Sequence, residues 1–189
     1  MRRWWLNLIG KNEEKLMQKY TLSTRIIHWL SALLIFFMFI SGWYMVELGY
    51  YSPWYNRLPE LHYAFGMALM LVWFIKIIRL LTGRQKRLSP PVKPFERILS
   101  QLTQSLFYVF IVTLVITGYL MMTADGQAKI LFKAINLPAF TQFSGAVVDT
   151  MGWVHEYGAY LLMLFVALHV IGAVKHHFID KDDTLKRII

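Results

Sequence analysis

Four stretches of this chain are long and apolar enough to cross a membrane. They cover residues 26–46, 61–81, 106–122 and 153–174. A transmembrane helix needs about 20 mostly apolar residues, and a helix satisfies every backbone hydrogen bond within its own segment. The six prolines fall between the stretches, where a missing backbone donor does no harm. With 57% hydrophobic residues, the sequence predicts an all-α membrane protein built as an antiparallel four-helix transmembrane bundle.

The chain is expected to form one membrane domain with a short segment at each end. Residues 1–20 are predicted to lie at the membrane interface, where their tryptophans would reach the headgroups. Residues 21–179 would form the bundle, and residues 180–189 a solvated cytoplasmic tail. Residues 129–136, in the last loop, are a candidate for a second surface helix.

Basic residues are distributed unevenly along the chain. All but three of the 20 lie near the N-terminus, between Lys76 and Arg97, or near the C-terminus; the exceptions are Arg57, Lys129 and Lys133. By the positive-inside rule, both termini are predicted to be cytoplasmic. A net charge of +9 arranged beside apolar spans favours membrane lipid as the partner. No nucleic-acid-binding motif accompanies it, so nucleic acid is not expected to bind.

The chain contains no cysteine. This excludes disulfides, thiolate zinc sites, cysteine-ligated iron–sulfur clusters and the covalent attachment of c-type haem. Any haem would therefore be held without covalent bonds.

Four histidines lie inside or at the mouths of the apolar stretches: His28, His62, His155 and His169. Metal-binding and ionisable side chains are costly in a bilayer and usually functional. Consecutive helices run in opposite directions, so His28 and His169 are predicted near the cytoplasmic face, and His62 and His155 near the other face. We call these the inner pair and the outer pair. His155 and His169 are 14 residues apart, which is about 21 Å along a helix and about 40° around it. Facing imidazoles at two levels predict two bis-histidine haem sites.

Small residues three or four positions after each histidine share its helix face. They would leave room for a flat macrocycle, although small residues are also ordinary packing contacts between membrane helices. Gly42 and Gly118 are predicted near the outer level. The residues beside the histidines are Gly66, Gly158, Gly172, Ser31 and Ala32.

Two cations are candidates for binding the propionates of an inner haem. Arg25 lies almost one turn before His28, and Lys76 lies 14 residues after His62, on the same helix face at the inner level. Lys76 is equally suited to snorkelling towards the interface.

The polar residues after the fourth stretch are expected to be solvated. His176 and His177 follow His169 by seven and eight positions. Asp180, Asp182 and Asp183 are interpreted as part of the tail rather than as a metal site, because no sequence feature completes a coordination shell.

The chain resembles the prokaryotic cytochrome b561 family, which includes the superoxide oxidase type. The resemblance is carried by Arg-Ile-Ile-His-Trp-Leu at 25–30, by residues 118–126, and by Lys-Asp-Asp-Thr-Leu-Lys-Arg at 181–187. It implies a four-helix bundle with two haem b groups, each held by two histidines. The positions that match the axial ligands are His28, His62, His155 and His169. Relatives often carry another histidine where this chain has Gln104.

The resemblance implies electron transfer in the bacterial inner (cytoplasmic) membrane, between an outer-side donor and a quinone such as ubiquinone. Bis-histidine ligation leaves no open iron position, which favours electron transfer over oxygen binding. Superoxide is one candidate donor. Attracting this anion would need a positive outer surface, yet the three outer cations face more acidic residues: Glu47, Glu60, Asp125, Asp149 and Glu156.

Two alternatives remain open. In the first, the chain is an electron relay subunit for a partner redox protein. In the second, it is a non-redox membrane protein whose histidines bind or move a metal ion. The second would need carboxylates at the depth of the histidines, where the chain offers few: Glu156 lies beside His155, and Glu47 and Glu60 flank the first two stretches.

Overall fold

The computed structural model describes residues 19–83, 94–131 and 134–189. Within these ranges the chain forms α1 (Leu22–Val46), α2 (Arg57–Leu81), α3 (Pro94–Met122), β1 (Lys129–Leu131), β2 (Ile135–Leu137), α4 (Gly145–Phe178) and a 3-10 helix (Leu185–Arg187). All four α-helices are long and apolar enough to cross a membrane. The predicted all-α fold is therefore confirmed. Most of the predicted N-terminal interfacial segment, residues 1–18, lies outside the described ranges.

Each helix begins earlier than the apolar stretch that predicted it. The largest difference is in α3, which begins at Pro94 rather than near residue 106. Its first turns mix apolar residues with polar ones such as Glu96, Arg97 and Gln101, so they lie beyond the continuous apolar run that a hydropathy argument detects. Pro59 and Pro94 lie within the first turns of α2 and α3, so the expectation that every proline lies between helices is wrong for these two. The first turn tolerates proline because its backbone N–H groups have no intrahelical partner.

The helices pack as two hairpins, α1 against α2 and α3 against α4, which are joined by contacts between α2 and α3. The buried core consists of Leu34, Ile35, Leu69, Trp73, Ile111 and Leu162. Leu162 lies seven residues from both His155 and His169, or about 10 Å along the helix from each. The core is therefore an apolar layer between the two histidine levels.

Outside this layer, many large apolar side chains point away from the protein. Leu33 is 69% exposed and Phe74 60% exposed. A water-soluble bundle rarely presents apolar surface of this extent, whereas lipid covers such a surface without penalty. The arrangement is that of a membrane-embedded bundle.

The C-terminal residues fold back onto α1. The indole Nε1 of Trp29 donates to the carbonyl of Ile188 at 3.1 Å, and the backbone N–H of Tyr20 donates to the carbonyl of Arg187 at 3.0 Å. Arg187 is buried, with 6% of its surface exposed. The expectation of a solvated tail is wrong for this segment, because backbone and indole hydrogen bonds dock it against the start of α1.

The polar residues between α4 and the 3-10 helix stabilise this docking. The Asp182 carboxylate accepts hydrogen bonds from the backbone N–H of Thr184 at 2.8 Å and from Nδ1 of His176 at 2.7 Å. Burial raises the pKa of the Asp182 carboxyl, but hydrogen bonds from Thr184 and His176 outweigh it and lower that pKa below its ordinary value. His176 is half-buried, and the Nδ1 of His177 is buried. Both histidines are therefore only partly exposed, rather than fully solvated as expected.

The loop between α3 and α4 contains a short antiparallel pair of strands. Lys129 pairs with Leu137, and Ile130 with Asn136. The expectation of a surface helix over residues 129–136 is wrong. An eight-residue helix is marginal alone, whereas a bridge between Asp125 and Gln142 holds the loop ends together and favours strand pairing.

Candidate functional site

The four intramembrane histidines meet in the two predicted pairs. The ring centres of His28, on α1, and His169, on α4, are 6.2 Å apart. Those of His62, on α2, and His155, on α4, are 6.3 Å apart. Helix α4 thus contributes one histidine to each level, and the first hairpin contributes the other.

Both spacings suit two imidazoles that share one metal ion. A metal–imidazole bond is about 2 Å long, and a five-membered ring with bonds of about 1.33 Å has its centre roughly 1.1 Å behind the nitrogen. Two rings on opposite sides of one ion should therefore lie about 6 Å apart. Ordinary aromatic contacts also span about 4.5–7 Å. The spacing alone therefore does not distinguish metal ligands from an aromatic contact. The similar spacing at both levels and the hydrogen bonds of the outer rings favour metal ligands.

The Ser41 hydroxyl lies between a ring nitrogen of His62 and a main-chain carbonyl. Nδ1 of His62 lies 2.9 Å from Oγ of Ser41, on α1. The Ser41 hydroxyl donates its single proton to the carbonyl of Met38 at 3.2 Å. A hydroxyl that donates to this carbonyl accepts from Nδ1 of His62, and Nε2 then keeps a free lone pair. That is the tautomer a metal-binding imidazole needs.

His155 has the same arrangement on the second hairpin. Its Nδ1 lies 3.0 Å from Oγ1 of Thr117, on α3, and that hydroxyl donates to the carbonyl of Thr113 at 2.8 Å. In this arrangement the hydroxyl accepts from Nδ1 of His155, and Nε2 is again the free nitrogen. Both outer histidines therefore present the nitrogen that can bind a metal.

A glycine follows each of these hydroxyl residues. A Cβ atom at Gly42 would lie 3.1 Å from Cε1 of His62, and one at Gly118 would lie 3.1 Å from Cε1 of His155. Either would force the ring to move by tenths of an ångström. Glycine at these two positions therefore allows each outer ring to approach the neighbouring helix closely.

The glycines on the helices of the histidines have a different role from the one expected. A Cβ at Gly66 would meet Met38, and one at Gly158 would meet Leu114. These two glycines receive side chains of the neighbouring helix, so the expected clearance for a macrocycle is not seen there. A Cβ at Gly172, near the inner pair, would meet open space.

The inner pair has different surroundings. Within the described ranges, no hydrogen bond reaches a ring nitrogen of His28 or His169. Instead the rings contact aromatic side chains, His28 at 5.5 Å from Trp29 and His169 at 5.7 Å from Phe107.

Lys76 points into the bundle. Its Nζ lies 4.0 Å from the ring centre of Trp73, a buried residue, and 5.5 Å from that of Tyr108. A cation over an aromatic face is stabilised by the ring quadrupole. Of the two expectations for Lys76, the structure favours an inward position over snorkelling. A role in binding a propionate stays a prediction.

Arg25 lies in a shallow surface patch of α1 with Leu22, Trp29 and Leu33, whose side chains are exposed. The buried Nε of Arg25 has no hydrogen-bond partner in the part of the chain that the structure describes. A buried donor of this kind is rare in folded proteins. An anionic group close to His28 would satisfy it.

These features fit the haem groups that the sequence predicts. Each level has two imidazoles with suitable spacing, and at the outer level both have a free Nε2. Two cations lie on the inner side, Lys76 and Arg25, and Arg25 has an unsatisfied buried donor. Either could pair with a propionate carboxylate of an inner haem. Imidazole suits iron, zinc and copper. Most other metals would also need carboxylate ligands at the level of the histidines.

Comparison with known proteins points the same way. Residues 19–189 match the family described as Prokaryotic cytochrome b561. The chain is 35% identical over 172 residues to Cytochrome b561 homolog 2 of Escherichia coli (strain K12), covering 91% of this chain and 92% of that protein. It is 27% identical over 177 residues to Probable superoxide oxidase CybB of Yersinia pestis, covering 91% and 96%. It is 22% identical to Cytochrome b561 homolog 1 of Escherichia coli (strain K12), covering 92% and 98%. This multi-pass membrane protein belongs to the prokaryotic cytochrome b561 family.

Proposed function

We propose that this chain is a di-haem membrane cytochrome that passes electrons between a donor on the outer side and a membrane quinone, with ubiquinone as the expected acceptor. The observation that carries the proposal is the matched spacing of the inner pair, 6.2 Å, and the outer pair, 6.3 Å. One haem b would be held by His28 and His169, and the other by His62 and His155.

Bound haem b supplies reversible one-electron chemistry at its iron. Two histidines would hold each haem, an arrangement that favours electron transfer over oxygen binding. Arg25 and Lys76 would bind carboxylates of the inner haem. The chain therefore contributes ligation, orientation and a dry environment.

The apolar layer keeps the two levels separate and excludes water between them. Leu34, Leu69, Ile111 and Leu162 are each less than 10% exposed. Because the levels are about 21 Å apart along α4, the layer spans the middle of the predicted bilayer. This arrangement supports electron transfer between two fixed sites rather than transport of an ion through a wet pathway.

Superoxide is the proposed small-molecule donor, by analogy with the relative named as a probable superoxide oxidase. An electron relay is the second candidate. The ion pair between Lys129 and Asp125 at the outer end favours it, because the pairing reduces the attraction that Lys129 offers to an anion.

Rapid mixing separates the two donors. Oxidised protein is exposed to pulsed superoxide and haem reduction is followed optically, with His155→Leu as the control for the outer site. Faster reduction of the wild type than of the control is expected if superoxide is the donor. Equal rates would exclude superoxide and leave the relay. In both cases chemically reduced protein should pass electrons to a soluble ubiquinone analogue.

The non-redox alternative has less support. Within the described ranges, the group of three residues that could hold a metal ion is His176, Asp180 and Asp182, beyond the end of the apolar part of α4. The histidine pairs are therefore not accompanied by such a set at their own depth. An optical spectrum distinguishes the classes, because haem b gives a red protein with sharp bands after reduction and a metal-ion transporter is colourless.

The distribution of basic residues supports an orientation with both termini in the cytoplasm of a bacterium and the bundle in its inner membrane. We also propose a domain division into residues 1–20, 21–179 and 180–189, in which part of the last segment docks onto α1. A C-terminal green fluorescent protein fusion should fluoresce, and a C-terminal alkaline phosphatase fusion should be inactive. The reverse result would invert the inner and outer assignments.

A further inference from the structure

Ser41 and Thr117 occupy equivalent places beside the outer pair. Each precedes a glycine, each lies on the helix that pairs with the helix of its histidine, and each places a hydroxyl oxygen about 3 Å from Nδ1. No counterpart exists at the inner level within the described ranges. Ser31, the hydroxyl residue near His28, donates to the carbonyl of Ile27 at 2.6 Å on its own helix.

From this geometry we infer that Ser41 and Thr117 are positioning residues that fix the tautomer and the ring orientation of both outer histidines. The inference rests on the proposed function, in which these rings bind haem iron. Each hydroxyl accepts the Nδ1–H of its histidine and directs its own proton to a main-chain carbonyl. The ring cannot then rotate freely, and Nε2 remains available to the metal.

Such a bond also changes the ligand electronically. An imidazole that donates its second N–H to an oxygen is a stronger base towards the metal. Stronger donation favours the oxidised, more positive iron. Loss of the hydroxyl is therefore expected to raise the reduction potential of the outer haem and to leave that of the inner haem unchanged.

The chain supplies a matched control for the substitution. Ser41 and Ser31 lie on the same helix, and each is 4% exposed. Ser41 contacts a histidine nitrogen, whereas Ser31 bonds only to its own helix. Ser41→Ala and Ser31→Ala therefore remove the same atom from similar environments, and only the first removes a bond to a proposed ligand.

The experiment is a spectroelectrochemical titration of the purified full-length protein, combined with low-spin ferric EPR spectra. The variants are Ser41→Ala, Thr117→Val and the double variant, with Ser31→Ala as control and Ser41→Thr and Thr117→Ser as conservative replacements. Loss of one hydroxyl, in Ser41→Ala or in Thr117→Val, should shift the oxidised-to-reduced ratio of the outer haem by up to about tenfold, which is 59 mV for a one-electron couple. The EPR signal of that haem should shift too, and the conservative replacements should restore both signals.

Selective loss of the outer haem from Ser41→Ala or Thr117→Val, with recovery in the conservative variants, would also support the inference. If the double variant keeps the outer haem with the potential and the EPR signal of Ser31→Ala, the inference is wrong. Wild-type haem content is measured first. Wild-type protein without haem would overturn the proposed function itself, whereas full haem content with unchanged potentials would overturn only the roles of Ser41 and Thr117.

Discussion

His62 and His155 face each other across the bundle with their ring centres 6.3 Å apart, and each ring is held through Nδ1 by a hydroxyl group from the adjacent helix. The inner histidines have the same spacing but lie among aromatic rings and near a cation. The two levels therefore share one spacing of histidine rings and differ in their surroundings. This difference allows each level to be tested separately.

His169→Leu should remove the inner haem and largely spare the outer one. The substitution removes one imidazole of the inner pair, whereas the outer pair lies about 21 Å away along α4. Haem content per chain, measured as the pyridine haemochrome, should fall by about half. His177→Leu, on the same helix but outside both pairs, should leave the content unchanged. Loss of neither haem from His169→Leu would contradict the pairing.

Lys76→Met should lower the reduction potential of the inner haem. A positive charge disfavours the oxidised iron, and a unit charge about 10 Å away at an effective dielectric constant of about 20 contributes roughly 1–2 kcal/mol. The measurement is a redox titration of both haems. Lys129→Met removes a charge at the opposite end and should leave the inner potential unchanged. An unchanged inner potential in Lys76→Met would place Lys76 away from the haem.

Gly118→Ala should weaken binding of the outer haem. The new Cβ would lie 3.1 Å from Cε1 of His155, so the ring must move or tilt. The reduced optical spectrum and the haem content report the effect, and the inner haem should be unaffected. Gly145→Ala, where a Cβ meets nothing within 4 Å, is the control. Equal haem content and identical spectra in the two variants would show that the close approach at Gly118 is not required.

How much of this arrangement the sequence predicts depends on the kind of interaction. The pairing of His28 with His169 was predictable because depth and helix face follow from the geometry of a straight helix. The roles of Ser41 and Thr117 were not predicted, since serine and threonine in membrane helices usually bond back to a carbonyl of their own helix. One signal was available: a hydroxyl residue followed by glycine occurs on α1 and again on α3.

Contacts between distant parts of the chain were also missed. The docking of Ile188 against Trp29 brings together residues at opposite ends of the sequence, and no periodicity within either segment indicates it. The strand pair Lys129–Leu131 and Ile135–Leu137 likewise depends on the ends of its loop being held together. Local composition alone favoured a helix there.

Asp182→Ala should loosen the docked C-terminal segment. It removes the acceptor for the backbone N–H of Thr184 and for Nδ1 of His176, at a cost of about 1–2 kcal/mol. Hydrogen exchange of the Tyr20 and Arg187 amides should become roughly 5- to 30-fold faster. Asp183→Ala is the control, because Asp183 uses its side chain for an exposed pair with Lys186. Unchanged exchange in Asp182→Ala would contradict this role.

The same contact should depend on pH. The hydrogen bonds to the Asp182 carboxylate hold its pKa below the ordinary value. The stabilisation is therefore present above the unfolded pKa of about 4 and is lost as the pH falls through the lower, folded value. The protection that this contact gives the Arg187 amide, after correction for intrinsic exchange, should be the same at pH 5 and pH 7, which lie about 1–3 units above that pKa. It should fall below about pH 4. A constant protection down to about pH 2 would show that the carboxylate does not hold the segment.

The most direct test of the account is the ratio of haem b to polypeptide in the purified wild-type protein, determined by the pyridine haemochrome method and quantitative amino-acid analysis. Two histidine pairs with the spacing of shared iron ligands predict two haem b groups per chain, both low-spin and both non-covalent. A protein purified with no haem, or with a single high-spin haem, would contradict the assignment of both pairs.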